Sequence, residues 1–375
     1  MPKSNAVLSL TIRFDPPLDR APADWLRVSR EISVVLDGER RVRFDPSDRR
    51  SAGFIQILDG VSRLRRPVYV EVDPETSTIS RLLVPHVARV IVIRPIDVGV
   101  LGVELDMSHG RHVLRRSTPN SGESEQLLRG ALRSGSPLIV TEDDTHEIID
   151  VREYTPPQGD RLPPFPRPEL PFPAPWPLRC IRDLFYWIWC WPWWPWWWLR
   201  CVTPAKAQQV FDAMSATSCN PITVPPPCIP FLYPDDGCWG RAHEMCRLII
   251  NMGIKPKKVW IQGSLYVSTN NNPNCGVWWG WHVAPTLCVR GPGFKHHEEV
   301  IDPSLFMNPV TKGTWKGVQG DPSATLTDSA ASIFYLWGSV TDPTYTETNQ
   351  VLATYRLQLQ TRSLQVGPPP YANCP

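Results

Sequence analysis

Apolar positions in the first 155 residues fall mainly in short runs rich in β-branched side chains, and such runs are typical of strands. Four runs of this kind predict strands at residues 6–14, 66–72, 88–94 and 98–105. A further apolar stretch turns at Asp143–Asp144 and predicts a hairpin. The pattern therefore predicts a sheet-containing first half.

Two amphipathic runs, residues 51–64 and 123–135, have the spacing of helices. The second run carries start and stop signals. Asn120, with Glu123 three residues later, predicts a capping box, and Gly135 predicts the end of the helix. Helices among strands predict an α/β N-terminal domain over residues 1–155, separate from the rest of the chain.

The pattern changes between residues 156 and 203. Residues 156–177 hold ten prolines, which predicts a stiff spacer that spans about 70 Å at roughly 3.1 Å per residue. Leu184–Leu199 then has sixteen residues without a charge and is rich in tryptophan. This Trp-rich segment is too short and too broken by proline for a comfortable membrane span. Packing on a neighbouring domain, contact with a membrane surface and binding of a partner all remain open for it.

Helical spacing returns after residue 204. Residues 205–217 predict one helix, and a second begins at Cys238 and ends at Gly253. His282 lies in an alternating apolar stretch, residues 277–290, that predicts a strand. Pro285 interrupts that stretch, which favours an edge strand or a bulge. Residues 204–375 are therefore predicted to form a second domain.

Charge and cysteine usage narrow the possibilities. The net charge is +2, so bulk electrostatics give no reason to expect nucleic-acid binding. The N-terminus has no sustained apolar run of a signal peptide, and the compartment is left unassigned. The ten cysteines all lie after residue 179. Cys219 and Cys228 flank a Pro-rich loop, which favours a local disulfide between them.

Metal and cofactor sites have little support in the spacing of possible ligands. The sequence contains no CxxC pair, and no second ligand pair at zinc-like spacing accompanies the cysteines. Four histidines of the first half are scattered and are interpreted as solvated or core residues: His86, His109, His112 and His146. The sequence therefore predicts no metal ion and no cofactor.

Cys238 is the strongest candidate for chemistry. It follows a glycine at the start of a predicted helix, where free backbone N–H groups and the helix dipole favour a thiolate and predict a lowered pKa. His243 lies on the opposite side of that helix, so His282 is the better base. Asp302 ends the strand after that of His282. Neighbouring antiparallel strands would bring the two side chains together, giving a Cys-His-Asp arrangement.

Several motifs also resemble the protein glutaminases, which are secreted bacterial enzymes that deamidate glutamine side chains within proteins. These motifs are "SCNPITVPPPC", "FLYPDDGCWGRAHEM", "WGWHVAPTLCV", "VIDPSLF" and "NPVTKGTW". The resemblance runs from about residue 205 to 318 and more weakly to the C-terminus. It implies Cys238 as nucleophile, His282 as base and Asp302 as its orienting group. It also implies a papain- or transglutaminase-like α+β fold and export by a route other than an ordinary signal peptide.

The expected reaction is deamidation of protein-bound or peptide-bound glutamine through a Cys238 thioester. Trp239, Trp279 and Trp281 either wall a slot for the glutamine side chain or pack the core. A transglutaminase or a cysteine peptidase with the same triad is the nearest alternative. A membrane- or partner-binding protein that uses the Trp-rich segment is the non-enzymatic one. The resembled enzymes carry a blocking pro-region, so residues 1–155 are either such a region or a docking module.

Overall fold

The structure is a computed structural model that describes residues 6–28, 32–37, 40–106, 108–155, 201–292 and 295–374. The Pro-rich spacer and the Trp-rich segment lie outside these residues. The three interpretations of Leu184–Leu199 therefore stay predictions. None of the helices within the described ranges is both long enough and apolar enough to cross a membrane.

The first half contains eleven strands and three helices among its described residues. The strands are β1 Ala6–Ser9, β2 Ile12–Asp15, β3 Ser33–Leu36, β4 Arg40–Arg43, β5 Val68–Val72, β6 Ile79–Leu83, β7 His86–Asp97, β8 Val100–Leu105, β9 His112–Arg115, β10 Pro137–Glu142 and β11 Ile148–Glu153. The helices are α1 Pro22–Val28, α2 Ser51–Arg63 and α3 Ser121–Ser134. The strands form three antiparallel sheets, in the orders β1-β5-β6, β2-β3-β4 and β11-β10-β7-β8-β9.

Local sequence signals explain most of these elements. α2 buries Phe54, Leu58 and Val61, whose spacing places them on one helical face. α3 ends at Gly135, which has a φ of 73° as a left-handed C-terminal cap requires. The capping box predicted at Asn120 is wrong. Asn120 has a φ of 58° and its side chain makes no capping bond, because such a bond needs an extended backbone at that position.

The second half is built on one five-stranded antiparallel sheet in the order β15-β14-β13-β12-β16. Its strands are β12 Lys257–Ser268, β13 Gly276–Arg290, β14 His296–Val300, β15 Val310–Thr311 and β16 Thr325–Ala330; a small hairpin adds β17 Ile333–Tyr335 and β18 Val340–Thr341. Its helices are α4 Pro204–Ser215, α5 Cys238–Asn251, α6 Lys312–Gly317 and α7 Thr346–Gln365, with a short 3-10 turn at Trp337–Ser339.

β13 is the central strand of this sheet. It pairs with β12 on one side and β14 on the other, so the edge strand inferred from Pro285 is wrong. The proline is tolerated because pairing with β14 stops next to it. The last contact there uses the carbonyl of Pro285, which accepts from the N–H of Ile301 at 2.9 Å. α5 packs on β13 through a core that includes Trp239, Ala242 and Val283.

α7 joins the two halves. Leu357 packs in the same core as Phe54 and Leu58 of α2, and the side-chain amide of Gln365 bonds both the N–H and the carbonyl of Leu82. On its other face, Leu359 packs in the core that holds Cys238. The halves therefore share buried surface at α7 in addition to their covalent connection.

Three disulfides lie in the second half. They join Cys201 to Cys288, Cys219 to Cys228 and Cys275 to Cys374. Among the described residues, Cys238 and Cys246 are free and buried. Cys219–Cys228 is the local pair that the sequence favours, and its S–S distance is 2.13 Å. One thiol is thus left at the start of α5 and one on its buried face.

Candidate active site

The start of α5 presents Cys238 on its first turn. The preceding residue, Gly237, has a φ of 79°, and a Cβ there would lie 2.3 Å from the ring of Tyr355. Only glycine fits this conformation and this space without strain. The tight turn leads the chain directly into the helix, so Cys238 lies where unpaired backbone N–H groups are concentrated.

His282 and Asp302 meet as the sequence predicts. His282 Nε2 lies 2.9 Å from Asp302 Oδ2, which also accepts from the indole N–H of Trp315 at 2.9 Å. The imidazole stacks on two indoles, those of Trp279 at 4.5 Å and Trp315 at 5.5 Å between ring centres. The ring is therefore fixed in plane and in orientation. Trp315 was not singled out from the sequence, although it lies in the motif "NPVTKGTW".

The charge states of this pair follow from burial and mutual contact. Burial lowers the pKa of His282, and Asp302 opposes that effect without reversing it. Burial acts to raise the pKa of Asp302, but the His282 ring and its hydrogen bond outweigh burial and leave that pKa lowered. At neutral pH the pair is an uncharged imidazole that donates from Nε2 to a carboxylate. The Nδ1 atom of His282 is buried without a hydrogen-bond partner and keeps its lone pair.

A third residue, His109 from the first half, lies against the thiol. His109 Nδ1 is 2.9 Å from Cys238 Sγ, and a ring nitrogen of His282 and these two atoms all lie within 4.8 Å of one another. His109 is buried, which agrees with its interpretation as a solvated or core histidine, but it also belongs to a cluster with Cys238 and His282 that this interpretation did not predict. Spacing could not reveal this, because 129 residues separate His109 from Cys238.

Backbone contacts hold His109 in this place. Its carbonyl accepts from the N–H of Gly280 at 3.0 Å, and the N–H of Arg111 donates to Trp278 at 3.1 Å. The backbone N–H of His109 donates to Asp236 Oδ1 at 3.0 Å. The segment therefore adds to β13 like a short extra strand.

Burial determines the direction in which the pKa of the Cys238 thiol is shifted in the intact chain. Cys238 is 1% exposed, and burial raises the pKa of its thiol well above the ordinary value, although the Arg241 guanidinium acts in the opposite direction. The lowered thiol pKa predicted from the helix N-terminus is thus wrong for the intact chain. Burial lowers the pKa of His109 well below its usual range as well. The thiol and His109 are both uncharged at neutral pH.

The three predicted slot tryptophans surround the His109 ring. Its centre lies 5.3 Å from the rings of Trp279 and Trp281 and 6.1 Å from that of Trp239. All three tryptophans are buried. The space between them is therefore occupied by an imidazole, and their role toward a substrate stays a prediction.

The other three histidines of the first half converge on one carboxylate. His86 Nε2 lies 3.0 Å from Glu142 Oε1, while the Nδ1 atoms of His112 and His146 approach Glu142 Oε2. Burial acts to raise the pKa of Glu142, but His146 and His112 hold it well below its ordinary range. All three histidines are buried, as the core interpretation allowed, and the fold gathers them around Glu142, which the sequence analysis did not predict.

This histidine cluster is linked to the second half through Asp235. His146 Nε2 lies 3.3 Å from Asp235 Oδ1, and Arg362 of α7 donates to both oxygens of Asp235 at 2.8 and 3.0 Å. Arg362 also donates to Asp144 of the first half at 3.0 Å. A buried, charge-paired network therefore crosses the interface between the halves two residues from Gly237.

A thiol at a helix start, an imidazole on a strand and a carboxylate just beyond the next strand form the arrangement of cysteine enzymes that cleave or transfer acyl groups. Residues 207–319, which contain all three side chains, match a family model described as glutaminase. The resemblance inferred from the sequence motifs is confirmed, and this stretch is the catalytic domain of an enzyme of the glutaminase family.

Solved structures show related likenesses. The chain is 23% identical to a pro-protein-glutaminase crystal structure, covering 78% of this chain and 99% of that one at a TM-score of 0.49. An A47Q2 mutant of pro-protein-glutaminase gives 24% identity, 72% and 92% coverage and a TM-score of 0.48. A protein-glutaminase crystal structure is 31% identical to the chain, and the match covers 42% of this chain and 90% of that one at a TM-score of 0.38. No curated protein matches the chain.

Proposed function

We propose that this enzyme deamidates glutamine side chains of proteins or peptides to glutamate, with release of ammonia, through a thioester on Cys238. The observation that carries the proposal is the fixed His282–Asp302 pair beside Cys238 within the glutaminase-family stretch. His282 Nε2 is held by Asp302, which leaves Nδ1 as the nitrogen that exchanges a proton with the thiol.

Each step of the reaction balances with these groups. His282 Nδ1 takes the proton of the Cys238 thiol as sulfur attacks the side-chain carbonyl carbon of glutamine. Backbone N–H groups at the start of α5 stabilise the oxyanion. The imidazolium gives its proton to the departing nitrogen, and ammonia leaves. Water then attacks the thioester, His282 removes a proton from that water, and the sulfur regains a proton as glutamate is released.

The surroundings of His109 define where the substrate lies. In the intact chain this ring fills the space among Trp239, Trp279 and Trp281, next to the thiol. A glutamine side chain needs that same space to reach Cys238. We therefore assign the tryptophans to the walls of the glutamine slot and residues 1–155 to an inhibitory pro-region.

The same reasoning supports the finer structural assignments. Cys238 on a helix, His282 on a strand and Asp302 after the next strand follow the chain order of papain- and transglutaminase-like enzymes, so residues 204–375 are assigned to that class. The three disulfides favour an oxidising compartment outside the cytosol. The Trp-rich segment Leu184–Leu199 stays a candidate for packing on a neighbouring domain or for contact with a membrane surface or a partner.

The test compares the intact chain, a chain cleaved in the Pro-rich spacer and freed of residues 1–155, and the same truncated chain carrying Cys238→Ala. Each is incubated with a glutamine peptide, while ammonia and peptide mass are followed. We expect ammonia and an amide-to-acid mass change with the truncated chain only. A truncated chain whose thiol reacts with iodoacetamide but which releases no ammonia would contradict the proposal.

An excess of a primary amine separates deamidation from transglutamination, because the two reactions share the thioester and differ in what attacks it. Glutamate is expected to remain the main product in the presence of the amine. Dominant amine adducts would favour a transglutaminase, and cleavage of the peptide backbone would favour a peptidase.

A further inference from the structure

We propose that the intact chain binds one divalent transition-metal ion, with Zn²⁺ as the preferred ion, between His109, Cys238 and His282. His109 Nδ1, Cys238 Sγ and a ring nitrogen of His282 all lie within 4.8 Å of one another, and the first two are 2.9 Å apart. Bond lengths of about 2.0 Å to nitrogen and 2.3 Å to sulfur place tetrahedral ligand atoms roughly 3.3–3.6 Å apart. To admit the ion, His109 Nδ1 and Cys238 Sγ would have to separate by about half an ångström, and ligand atoms near the 4.8 Å limit would have to approach each other by about 1.2–1.5 Å.

Both imidazoles are already oriented as metal ligands. His109 Nε2 lies 3.2 Å from the carbonyl oxygen of Asp235, which can only accept, so Nε2 carries the proton and Nδ1 the lone pair. His282 Nε2 donates in the same way to Asp302. Metal-binding histidines usually donate their other ring N–H to a carbonyl or a carboxylate, and both rings here do so.

An unpartnered atom points to a missing ligand independently of this orientation. His282 Nδ1 is buried without a hydrogen-bond partner. The Asp236 carboxylate lies beside these ligands, with Oδ1 3.8 Å from His109 Nδ1. A buried cation would satisfy the imidazole, and together with a thiolate and the Asp236 carboxylate its charge would be balanced.

Binding converts the thiol to a metal thiolate and releases one proton to solvent, with no change of oxidation state. The ion would occupy the sulfur and the imidazole lone pair that a nucleophile and its base need. It would also tie residue 109 of the first half to two residues of the second. Removal of residues 1–155 leaves a two-ligand site, so tight binding depends on the intact chain.

Binding of Co²⁺ tests the site without any activity measurement, because a cobalt–thiolate bond gives a charge-transfer absorption that nitrogen and oxygen ligands do not. Metal-free full-length protein is titrated with Co²⁺ and then with Zn²⁺ in competition. We expect one ion per chain, a thiolate band, and displacement by Zn²⁺. His109→Ala and Cys238→Ala should abolish the band, and His109→Ala should weaken the affinity about a hundredfold or more.

Matched variants keep the result interpretable. Cys246→Ser removes the other free thiol described in the structure, and His297→Ala removes an exposed histidine. Both should retain the band. His109→Gln keeps a polar side chain of similar length and guards against loss of folding, which near-ultraviolet circular dichroism monitors; it too should lack the band.

Two outcomes would overturn the proposal. One is the absence of a thiolate band at stoichiometric Co²⁺ in wild-type protein, which would leave a simple hydrogen bond between Cys238 and His109. The other is binding that is unchanged in His109→Ala. Cobalt binding without a thiolate band would place the ion at the second cluster of ligands, His86, His112 and Glu142.

Discussion

Asp302 acts through the residues around it. It accepts from His282 and from Trp315 through one oxygen, and from the backbone N–H of Ser304 at 3.2 Å through the other. Three donors fix a carboxylate that is almost fully buried. It sets which nitrogen of His282 carries the proton, and the proposed mechanism therefore makes it a positioning residue.

Replacement of Asp302 by Asn should reduce kcat/KM of the truncated enzyme by about a thousandfold or more, because an amide can donate to Nε2 and so favour the wrong tautomer of His282. Steady-state ammonia release at several pH values measures the effect. Asp328→Asn, which alters a carboxylate with a half-exposed side chain, is the control and should leave the rate unchanged. Near-normal turnover of Asp302→Asn would remove Asp302 from the triad.

Lys258 should make stability depend on pH. The side chain is fully buried and donates to His243 Nδ1 at 2.9 Å and to the carbonyl of Ile333 at 2.5 Å. Burial lowers the pKa of Lys258 to about 8, while burial and then Lys258 lower that of His243 to about 4. Between pH 8 and the ordinary lysine pKa, the unfolded chain therefore binds more protons than the folded one.

The free energy of unfolding should accordingly rise with pH over that interval by up to about 1.4 kcal/mol per pH unit from this group. The measurement is urea unfolding of wild type and Lys258→Met at pH 7.5, 8.5 and 9.5. The difference, wild type minus variant, should shift in favour of wild type as pH rises. A difference that stays constant across the three pH values would show that Lys258 does not titrate there.

At the scale of elements, α5 depends on the residue before it. Gly237→Ala should destabilise the protein by about 2 kcal/mol or more, because alanine at a φ of 79° is strained and its Cβ meets the Tyr355 ring. Gly130→Ala on α3 is the matched control. No atom lies within 4 Å of the added Cβ there, so that change should stabilise by about 0.5–1 kcal/mol. Thermal or denaturant unfolding measures both.

The sequence predicted elements where a local rule acts alone. α2, α3 and α5, and the strand of His282, follow from apolar periodicity and from glycines that end helices. The pairing of His282 with Asp302 followed from two adjacent strands. Prediction was wrong where the tertiary environment overrides the local rule. The Cys238 thiol pKa is raised because burial outweighs the helix dipole, and Pro285 lies in a central strand because pairing stops beside it.

His109 and the histidines around Glu142 could not be found from spacing. Glu142 is four residues from His146, but His86, His112 and Cys238 come from segments that are distant along the chain, so spacing does not reveal the clusters. Only the antiparallel addition of residues 109–111 to β13 brings His109 to the thiol. Contacts between the two halves of a chain leave no local sequence signal. The sequence alone therefore could not predict that the first half covers Cys238.

At the scale of the whole molecule, the first half covers the thiol. Cleavage in the Pro-rich spacer followed by removal of residues 1–155 should speed labelling of Cys238 by iodoacetamide and raise activity, more on large protein substrates than on small peptides. Labelling is followed by mass spectrometry with a chelator present. The truncated Cys238→Ala protein is the control for labelling. Equal activity of intact and truncated protein on both substrate sizes would contradict the inhibitory role of residues 1–155.

α7 sets the order in which the first half, which covers Cys238, and the second half can fold. It follows Cys238, His282 and Asp302 in the chain, yet Leu357 completes the core that belongs to α2. During synthesis on the ribosome, the first half therefore cannot finish folding until the catalytic elements have also emerged. α7 also carries Leu359, which packs in the core around Cys238. The core of the first half and the core around Cys238 are therefore both completed when α7 packs. The enzyme is consequently expected to reach its first folded state already inhibited.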